Sequence, residues 1–148
     1  MKKSLKLIFT LLFGVFPILS FAEKGHDEHE FKRDFSTVMQ GARLYQQQCA
    51  VCHGEQAQGN PAWRTRGPDG KLLPPPLNGS GHAWHHPLDL LRQTVLQGGI
   101  PTGGTMPAFR GKLKPAEIDS IIAWIQSRWP EEIFKNWKKT NQGTQHKH

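Results

Sequence analysis

The stretch of sequence that decides the fold is Cys49-Ala50-Val51-Cys52-His53. Its C-x-x-C-H spacing is typical of a site where a c-type haem is covalently attached. Two thiols three residues apart lie on one side of a helical turn, where each can add to a vinyl group of the same porphyrin. The next residue, His53, can then offer an imidazole nitrogen to the iron. We therefore expect one haem c, attached through Cys49 and Cys52, with His53 as an iron ligand.

Other uses of two cysteines fit the sequence less well. A thiol redox pair normally precedes a helix in a thioredoxin-like βαβ unit, and no strand pattern precedes Cys49. A short-loop disulfide would leave His53 without a role. A zinc site needs four ligands, and two thiols with one adjacent histidine leave the tetrahedron incomplete.

The second iron ligand is expected from a methionine in a glycine-rich loop. Met106 follows Gly103-Gly104-Thr105 and precedes Pro107, so a flexible loop can approach a flat ring while the proline stiffens the backbone after the thioether. Met39 lies on the first helix, on the attachment side, and is poorly placed to reach the opposite face. We therefore predict that Met106 is the distal ligand.

Three histidines compete for the role of a metal ligand. His82, His85 and His86 occur within Gly81-His82-Ala83-Trp84-His85-His86-Pro87. One of them could replace Met106 on the iron, or the three could bind a second metal such as copper, because imidazole suits it. The structural alternative is that they precede the next helix and line the rim of the haem pocket.

The first 22 residues are typical of a secretory signal peptide. Basic residues precede an apolar run over residues 7–19, and Ser20-Phe21-Ala22 offers the small-x-small pattern of a cleavage site. The run is too short to span a membrane. Removing this segment with its three lysines lowers the formal charge from +7 to +4. We expect the mature chain to be exported to a bacterial periplasm.

Composition restricts the remaining fold classes. Hydrophobic residues make up only 36% of the sequence, and most of its 15 glycines and 11 prolines fall between Gly54 and Gly111. A chain with so little apolar material can fold around a non-protein core. The mild charge, without a helix dense in Arg and Lys, argues against nucleic-acid binding. The scarcity of valine and tyrosine argues against a fold of many strands.

Helices are predicted at both ends of the domain. The first covers Ser36 to Gln48, capped by Ser36 or Thr37, and Gly41 within it indicates that another backbone approaches there. A middle helix begins at Pro87 and ends at Gly98-Gly99. The last strong helix begins at Pro115 and ends at Pro130, and its apolar face consists of Ile118, Ile121, Ile122, Ile125 and Trp129.

The domain boundaries follow from these elements. Residues 23–35 form a flexible lead-in, residues 36–137 the haem domain and residues 138–148 a polar tail. Ile133, Phe134 and Trp137 are expected to add only a short turn that packs back on the body.

On these residues the chain resembles the class I c-type cytochromes. In that family the first helix carries a glycine and an aromatic residue before the first haem cysteine, as Gly41 and Tyr45 do here. The last helix of the family crosses the first at that glycine, and Ile121 and Trp124 resemble its aliphatic and aromatic contact pair.

Two loop features extend the resemblance. In the family the carbonyl of a loop proline accepts a hydrogen bond from the haem-ligating histidine. Pro75 within Pro74-Pro75-Pro76 fits that role, although each of the three prolines stands near the right place. Met106-Pro107 resembles the distal ligand motif. The segments Trp63–Lys71 and Gly81–Pro87 depart from the smallest members of the family.

The resemblance implies an all-α, class I cytochrome c fold. Its N- and C-terminal helices cross, and long Gly/Pro-rich loops wrap around one covalent haem. It implies a periplasmic one-electron carrier with His53/Met106 ligation and no catalytic residues of its own, rather than an enzyme. The expected partners are redox proteins: a membrane oxidase, a reductase or a periplasmic dehydrogenase, met by a monomer that docks transiently at the membrane.

Three other functions remain open at this point. The chain could be a haem subunit of a larger oxidoreductase, or a haem protein in which Met106 leaves the iron and a gas or peroxide binds. It could also handle copper through His82, His85 and His86.

Overall fold

The computed structural model describes residues 33–144. The expected signal peptide and all but the end of the lead-in lie outside the described residues. Five α-helices occur within this range: α1 (Phe35–Gln48), α2 (Ala50–His53), α3 (Leu88–Gln97), α4 (Pro115–Ser127) and α5 (Glu131–Thr144). Short 3-10 turns cover Ala83–His85 and Ile100–Thr102. Within these residues the only β pairing consists of isolated bridges, so the predicted all-α class is confirmed.

Helix α1 begins one residue before the predicted position, and its cap differs from the expected one. The Asp34 carboxylate accepts hydrogen bonds from the Thr37 backbone N–H at 2.9 Å and the Ser36 hydroxyl at 2.6 Å. Asp34, rather than Ser36 or Thr37, therefore caps the helix, because a carboxylate just before the first turn can satisfy its unpaired N–H groups. The Ser36 hydroxyl bond, followed by the Thr37 bonds, lowers the Asp34 pKa to about 2.

Helices α1 and α4 cross at Gly41, as the sequence predicts. A side-chain carbon at this glycine would overlap the backbone carbonyl of Ser120 and lie 3.0 Å from the Trp124 Cβ. The Tyr45 and Trp124 rings, one turn further along each helix, have centroids 4.1 Å apart. Only a residue without a side chain allows the two backbones to come this close.

Helix α4 supplies most of the buried apolar surface. Pro115 occupies its first turn, and the Glu117 carboxylate accepts a hydrogen bond from the Lys114 backbone N–H at 2.7 Å. Each residue predicted on its apolar face is less than 10% exposed: Ile118, Ile121, Ile122, Ile125 and Trp129. The predicted core face is therefore confirmed.

Helix α3 is fastened to α4 by an ion pair. The Arg92 guanidinium donates to both carboxylate oxygens of Asp119, from Nε at 2.6 Å and from Nη2 at 2.9 Å. The Asp119 hydrogen bonds are the main reason that the Arg92 pKa is raised. Pro87 lies just before the helix rather than at its first position, and Gly98 ends it as predicted.

The C-terminal prediction was wrong in its extent. In place of a short turn and a polar tail from residue 138, α5 runs continuously from Glu131 to Thr144. Trp137, which is 6% exposed, contacts the rings of Trp129 and Phe134. The Asn141 side chain accepts the Leu88 backbone N–H at 2.9 Å. These tertiary contacts stabilise a helix whose own apolar content is low.

The rest of the described chain is loop, lying over the helical frame. Gly and Pro punctuate this region, and seven of its glycines have positive φ. No helix in the part of the chain that the structure describes is long and apolar enough to cross a membrane.

Candidate haem attachment site

The two cysteines and the histidine of the opening motif lie on one continuous turn. Cys49 follows α1 and its N–H donates to the Tyr45 carbonyl, while the N–H groups of Cys52 and His53 donate to the Cys49 carbonyl at 3.1 and 2.9 Å. Both thiols are free. Burial, followed by the neighbouring Cys52, raises the pKa of Cys49 to about 11, which keeps it a neutral thiol at pH 7.

His53 is buried and oriented by the proline loop. His53 is only 8% exposed, and its Nδ1 lies 2.9 Å from the Pro75 carbonyl oxygen. This contact places the N–H of the neutral imidazole on Nδ1 and leaves Nε2 free to ligate a metal. Burial lowers the His53 pKa and the Pro75 bond acts in the opposite direction. Of the three prolines, Pro75 is the one that makes this contact.

Backbone hydrogen bonds hold the proline loop against the attachment turn. The Asn60 N–H donates to the Pro74 carbonyl at 2.9 Å, and the Leu77 N–H donates to the Ala57 carbonyl at 2.8 Å. Ala57 is fully buried with a φ of 57°, which is uncommon for a residue with a side chain. The Pro75 carbonyl is thereby fixed toward His53 from both sides of the loop.

Two aromatic side chains, Tyr45 and Trp129, add to this support through hydrogen bonds that the sequence did not predict. The Tyr45 hydroxyl donates to the Gly54 carbonyl at 2.9 Å, immediately after His53. The Trp129 Nε1–H donates to the Leu77 carbonyl at 2.8 Å, next to the proline run. A polar atom at the end of each buried ring was the available signal, because buried Tyr and Trp usually find a hydrogen-bond partner. The partner itself depends on the tertiary fold.

Met106 lies in a strap anchored on both sides. The Gly99 N–H donates to the Met106 carbonyl at 2.9 Å, and the Phe109 N–H donates to the Val95 carbonyl at 3.1 Å. A side chain at Gly98 would collide with the backbone of residues 106–108. Met106 is partly buried and packs against the same core as Cys49. Met39, in contrast, is 43% exposed on α1.

The three histidines of residues 82–86 do not converge on one point. His82 stacks on Trp63 with ring centroids 5.4 Å apart, and its ring meets that of His86 edge to face. His85 stacks separately on Trp84 at 3.6 Å. Within residues 33–144, no group of three His, Cys, Asp or Glu side chains could hold a metal ion. The three-histidine copper site, one of the alternatives left open by the sequence, is therefore not formed in the described part of the chain.

The donor set fits a covalent haem. Two free thiols share a turn with a buried histidine whose Nδ1 is already engaged by a carbonyl. A thioether follows in a strap whose close approach requires glycine. Cysteine thiols, a histidine and a methionine are the types of residue that bind a c-type haem.

Comparison with known proteins identifies the family. Residues 36–125, more than half of the chain, match the family model described as "Cytochrome C oxidase, cbb3-type, subunit III". The match covers the helices and loops that carry the motif, the proline loop and the methionine strap.

Three curated relatives have similar segments. Identity is 31% over 87 residues with the cbb3-type cytochrome c oxidase subunit FixP of Bradyrhizobium sp. (strain ORS 278), covering 59% of this chain and 26% of that protein. Identity is 33% over 94 residues with the cbb3-type cytochrome c oxidase subunit CcoP of Azospirillum sp. (strain B510), covering 64% of this chain and 29% of that protein. Identity is 34% over 101 residues with the quinohemoprotein alcohol dehydrogenase ADH IIB of Pseudomonas putida, covering 68% of this chain and 12% of that protein. The chain thus spans less than a third of each relative. No solved structure matches it significantly.

Proposed function

Because the chain belongs to the family described as cbb3-type cytochrome c oxidase subunit III, and so to the c-type cytochromes, we propose that it is a one-electron carrier. In this proposal Cys49 and Cys52 would hold a single haem c, and His53 and Met106 would offer its iron an imidazole nitrogen and a thioether. When bound, the haem iron supplies the Fe(III)/Fe(II) couple through which one electron enters and leaves.

The contact between His53 and Pro75 carries this proposal. A buried imidazole whose Nδ1 is held by a carbonyl at 2.9 Å has one defined tautomer and one free nitrogen. The backbone hydrogen bonds of the proline loop hold the Pro75 carbonyl, and would keep this orientation when the haem is bound.

Met106 is proposed to close the other side of the site. A thioether ligand raises the reduction potential, and a strap fixed to the end of α3 holds that side chain in place. If His53 and Met106 both ligate the iron, the protein itself would fill the sites at which a gas or peroxide could bind. This separates the carrier from a peroxidatic or ligand-binding haem protein.

The two methionines allow a matched test of the ligand. We expect Met106→Ala to lose the Met–Fe(III) charge-transfer absorption band and to bind carbon monoxide rapidly once reduced. Met39→Ala should keep the band and exclude carbon monoxide, because Met39 is exposed on α1. An unchanged spectrum in Met106→Ala would point to a histidine ligand instead.

The attachment itself is tested by mass spectrometry. The intact protein should carry the mass of one haem through denaturation, and Cys49→Ala/Cys52→Ala should carry none. A haem mass that survives in the double variant, or two haems in the parent, would contradict the assignment.

A second candidate function is that of a haem subunit in a larger oxidoreductase. The names of the relatives support it, since two are cbb3-type oxidase subunits and one is a quinohemoprotein dehydrogenase. The test isolates the protein from detergent-solubilised membranes of the source organism and identifies what co-purifies with it at a fixed ratio. An oxidase or dehydrogenase that stays bound through size-exclusion chromatography supports a subunit, whereas a protein recovered alone supports the free carrier.

Export and the oligomeric state are part of the same proposal. We propose that residues 1–22 direct the chain to the periplasm and are removed, and that the mature protein is a monomer that docks transiently. N-terminal sequencing of the purified protein and light scattering test these two statements. A first residue other than Glu23, or a stable dimer, would require their revision.

A further inference from the structure

Two of the three histidines in the segment that departs from the family are arranged as a pair. The His82 and His86 rings have centroids 5.4 Å apart at an interplanar angle of 81°. His85 lies between them in sequence but stacks on Trp84 instead. The electron-carrier function uses none of these side chains, so the pair needs a separate explanation.

The separation of the rings is compatible with a shared metal ion. Metal–nitrogen bonds of about 2.0–2.1 Å put each ring centroid roughly 3.2 Å from the ion, so two ligating imidazoles have centroids about 4.5–6.4 Å apart. The observed distance of 5.4 Å falls inside that range.

The backbone that carries the pair is held in place before any ion binds. The 3-10 turn Ala83–His85 closes with hydrogen bonds from the His85 N–H to the His82 carbonyl and from the His86 N–H to the Ala83 carbonyl. The Trp137 Nε1–H donates to the His86 carbonyl at 2.8 Å, which ties the turn to α5. Stacking on Trp63 limits the His82 ring. Less conformational entropy is therefore lost on binding than in a mobile histidine segment.

Both imidazoles are accessible and suited to ligation. His82 is exposed and His86 is half-buried. No third protein ligand stands with them in the described part of the chain. The other coordination positions would therefore be filled by water or by an outside ligand.

From this arrangement we propose that His82 and His86 form an open surface site for a borderline divalent transition metal, with Cu²⁺ bound most tightly. Imidazole nitrogen suits copper, nickel and zinc, and the order of affinities of such sites places Cu²⁺ above Ni²⁺ and Zn²⁺. The site differs from the three-histidine version because His85 takes no part. It is also independent of the haem ligands, so its failure would leave the electron-carrier proposal untouched.

The experiment titrates the ferric holoprotein with Cu²⁺ and follows nitrogen hyperfine structure in the copper electron paramagnetic resonance spectrum. His82→Gln and His86→Gln are compared with His85→Gln, the matched control at the residue next to His86. Loss of a residue that only supports a metal ligand already lowers metal affinity by about 10–100-fold. Loss of one of the two ligands should therefore weaken Cu²⁺ binding at this site by roughly tenfold or more. The control should leave it within about twofold of the parent.

Other histidines are dealt with by the comparison itself. His26, His29, His146 and His148 are present in every variant, so only a component removed by substitution at residue 82 or 86 counts. The haem absorption spectrum and the urea midpoint of each variant establish that it is folded. The proposal is overturned if Cu²⁺ binding is equal in all four proteins, if His85→Gln loses as much as the others, or if Cu²⁺ alters the axial ligation of the iron.

Discussion

The crossing of α1 and α4 at Gly41 makes a quantitative prediction. In Gly41→Ala the added methyl group would overlap the Ser120 carbonyl and approach the Trp124 Cβ. Neither obstacle is the flexible end of a side chain, so the helices themselves have to move apart. That movement also disturbs the Tyr45–Trp124 ring contact at 4.1 Å.

Two opposing contributions set the magnitude. Replacing glycine by alanine inside a helix ordinarily stabilises by about 0.5–1 kcal/mol. Forcing an extra carbon into a packed contact costs typically 1–3 kcal/mol, and the upper end applies here because the contact is with backbone. The net loss is about 2 kcal/mol. For a domain of this size that lowers Tm by roughly 8 °C.

The assay is urea unfolding of the ferric holoprotein, followed by far-ultraviolet circular dichroism. The midpoint should fall while the slope with denaturant stays the same, because the surface exposed on unfolding hardly changes. Gln40→Ala is the control: it is the exposed neighbour on the same helix and should change stability by less than about 0.5 kcal/mol. A Gly41→Ala protein as stable as the parent would refute the close crossing.

Other contacts make further predictions. Trp137→Phe keeps the ring against Trp129 but leaves the His86 carbonyl without the indole donor, so we expect a loss of about 1–2 kcal/mol in urea unfolding, and no loss would mean that α5 is not docked there. A double-mutant cycle of Arg92→Met and Asp119→Asn should give a coupling of roughly 1–2 kcal/mol in the free energy of unfolding. If the effects of the two substitutions simply add, the ion pair does not form. The Asp34 pKa falls from 3.8 to about 2 on folding, so the stability that its carboxylate contributes is complete above pH 3.8 and is lost as the pH drops through 2. Asp34→Asn should therefore show a smaller loss of the unfolding midpoint at acid pH than the parent. An equal loss in both proteins would contradict the cap. Cys49→Ala/Cys52→Ala, made without attached haem, should lose its cooperative unfolding transition, and a sharp transition would contradict the view that porphyrin completes the core.

Local sequence was sufficient for the attachment motif and for the helices that frame it. The C-x-x-C-H spacing needs only one helical turn, and the apolar face of α4 repeats with the helical period, so neither depends on the rest of the chain. Gly41 could be recognised as a crossing point because a glycine in a helix interior is costly unless another backbone approaches it.

Tertiary structure decided the features that depend on partners distant in the sequence. Composition marks residues 138–144 as polar. They are helical because Asn141 binds the first residue of α3 and Trp137 binds the segment just before it. The choice of Pro75 among three prolines was settled by the hydrogen bonds that hold its loop against residues 57–60. The separation of His82 and His86 from His85 was settled by stacking on Trp63 and Trp84. A sequence states which groups can ligate, donate or stack, but their partners are determined only when loops of different origin pack on one another.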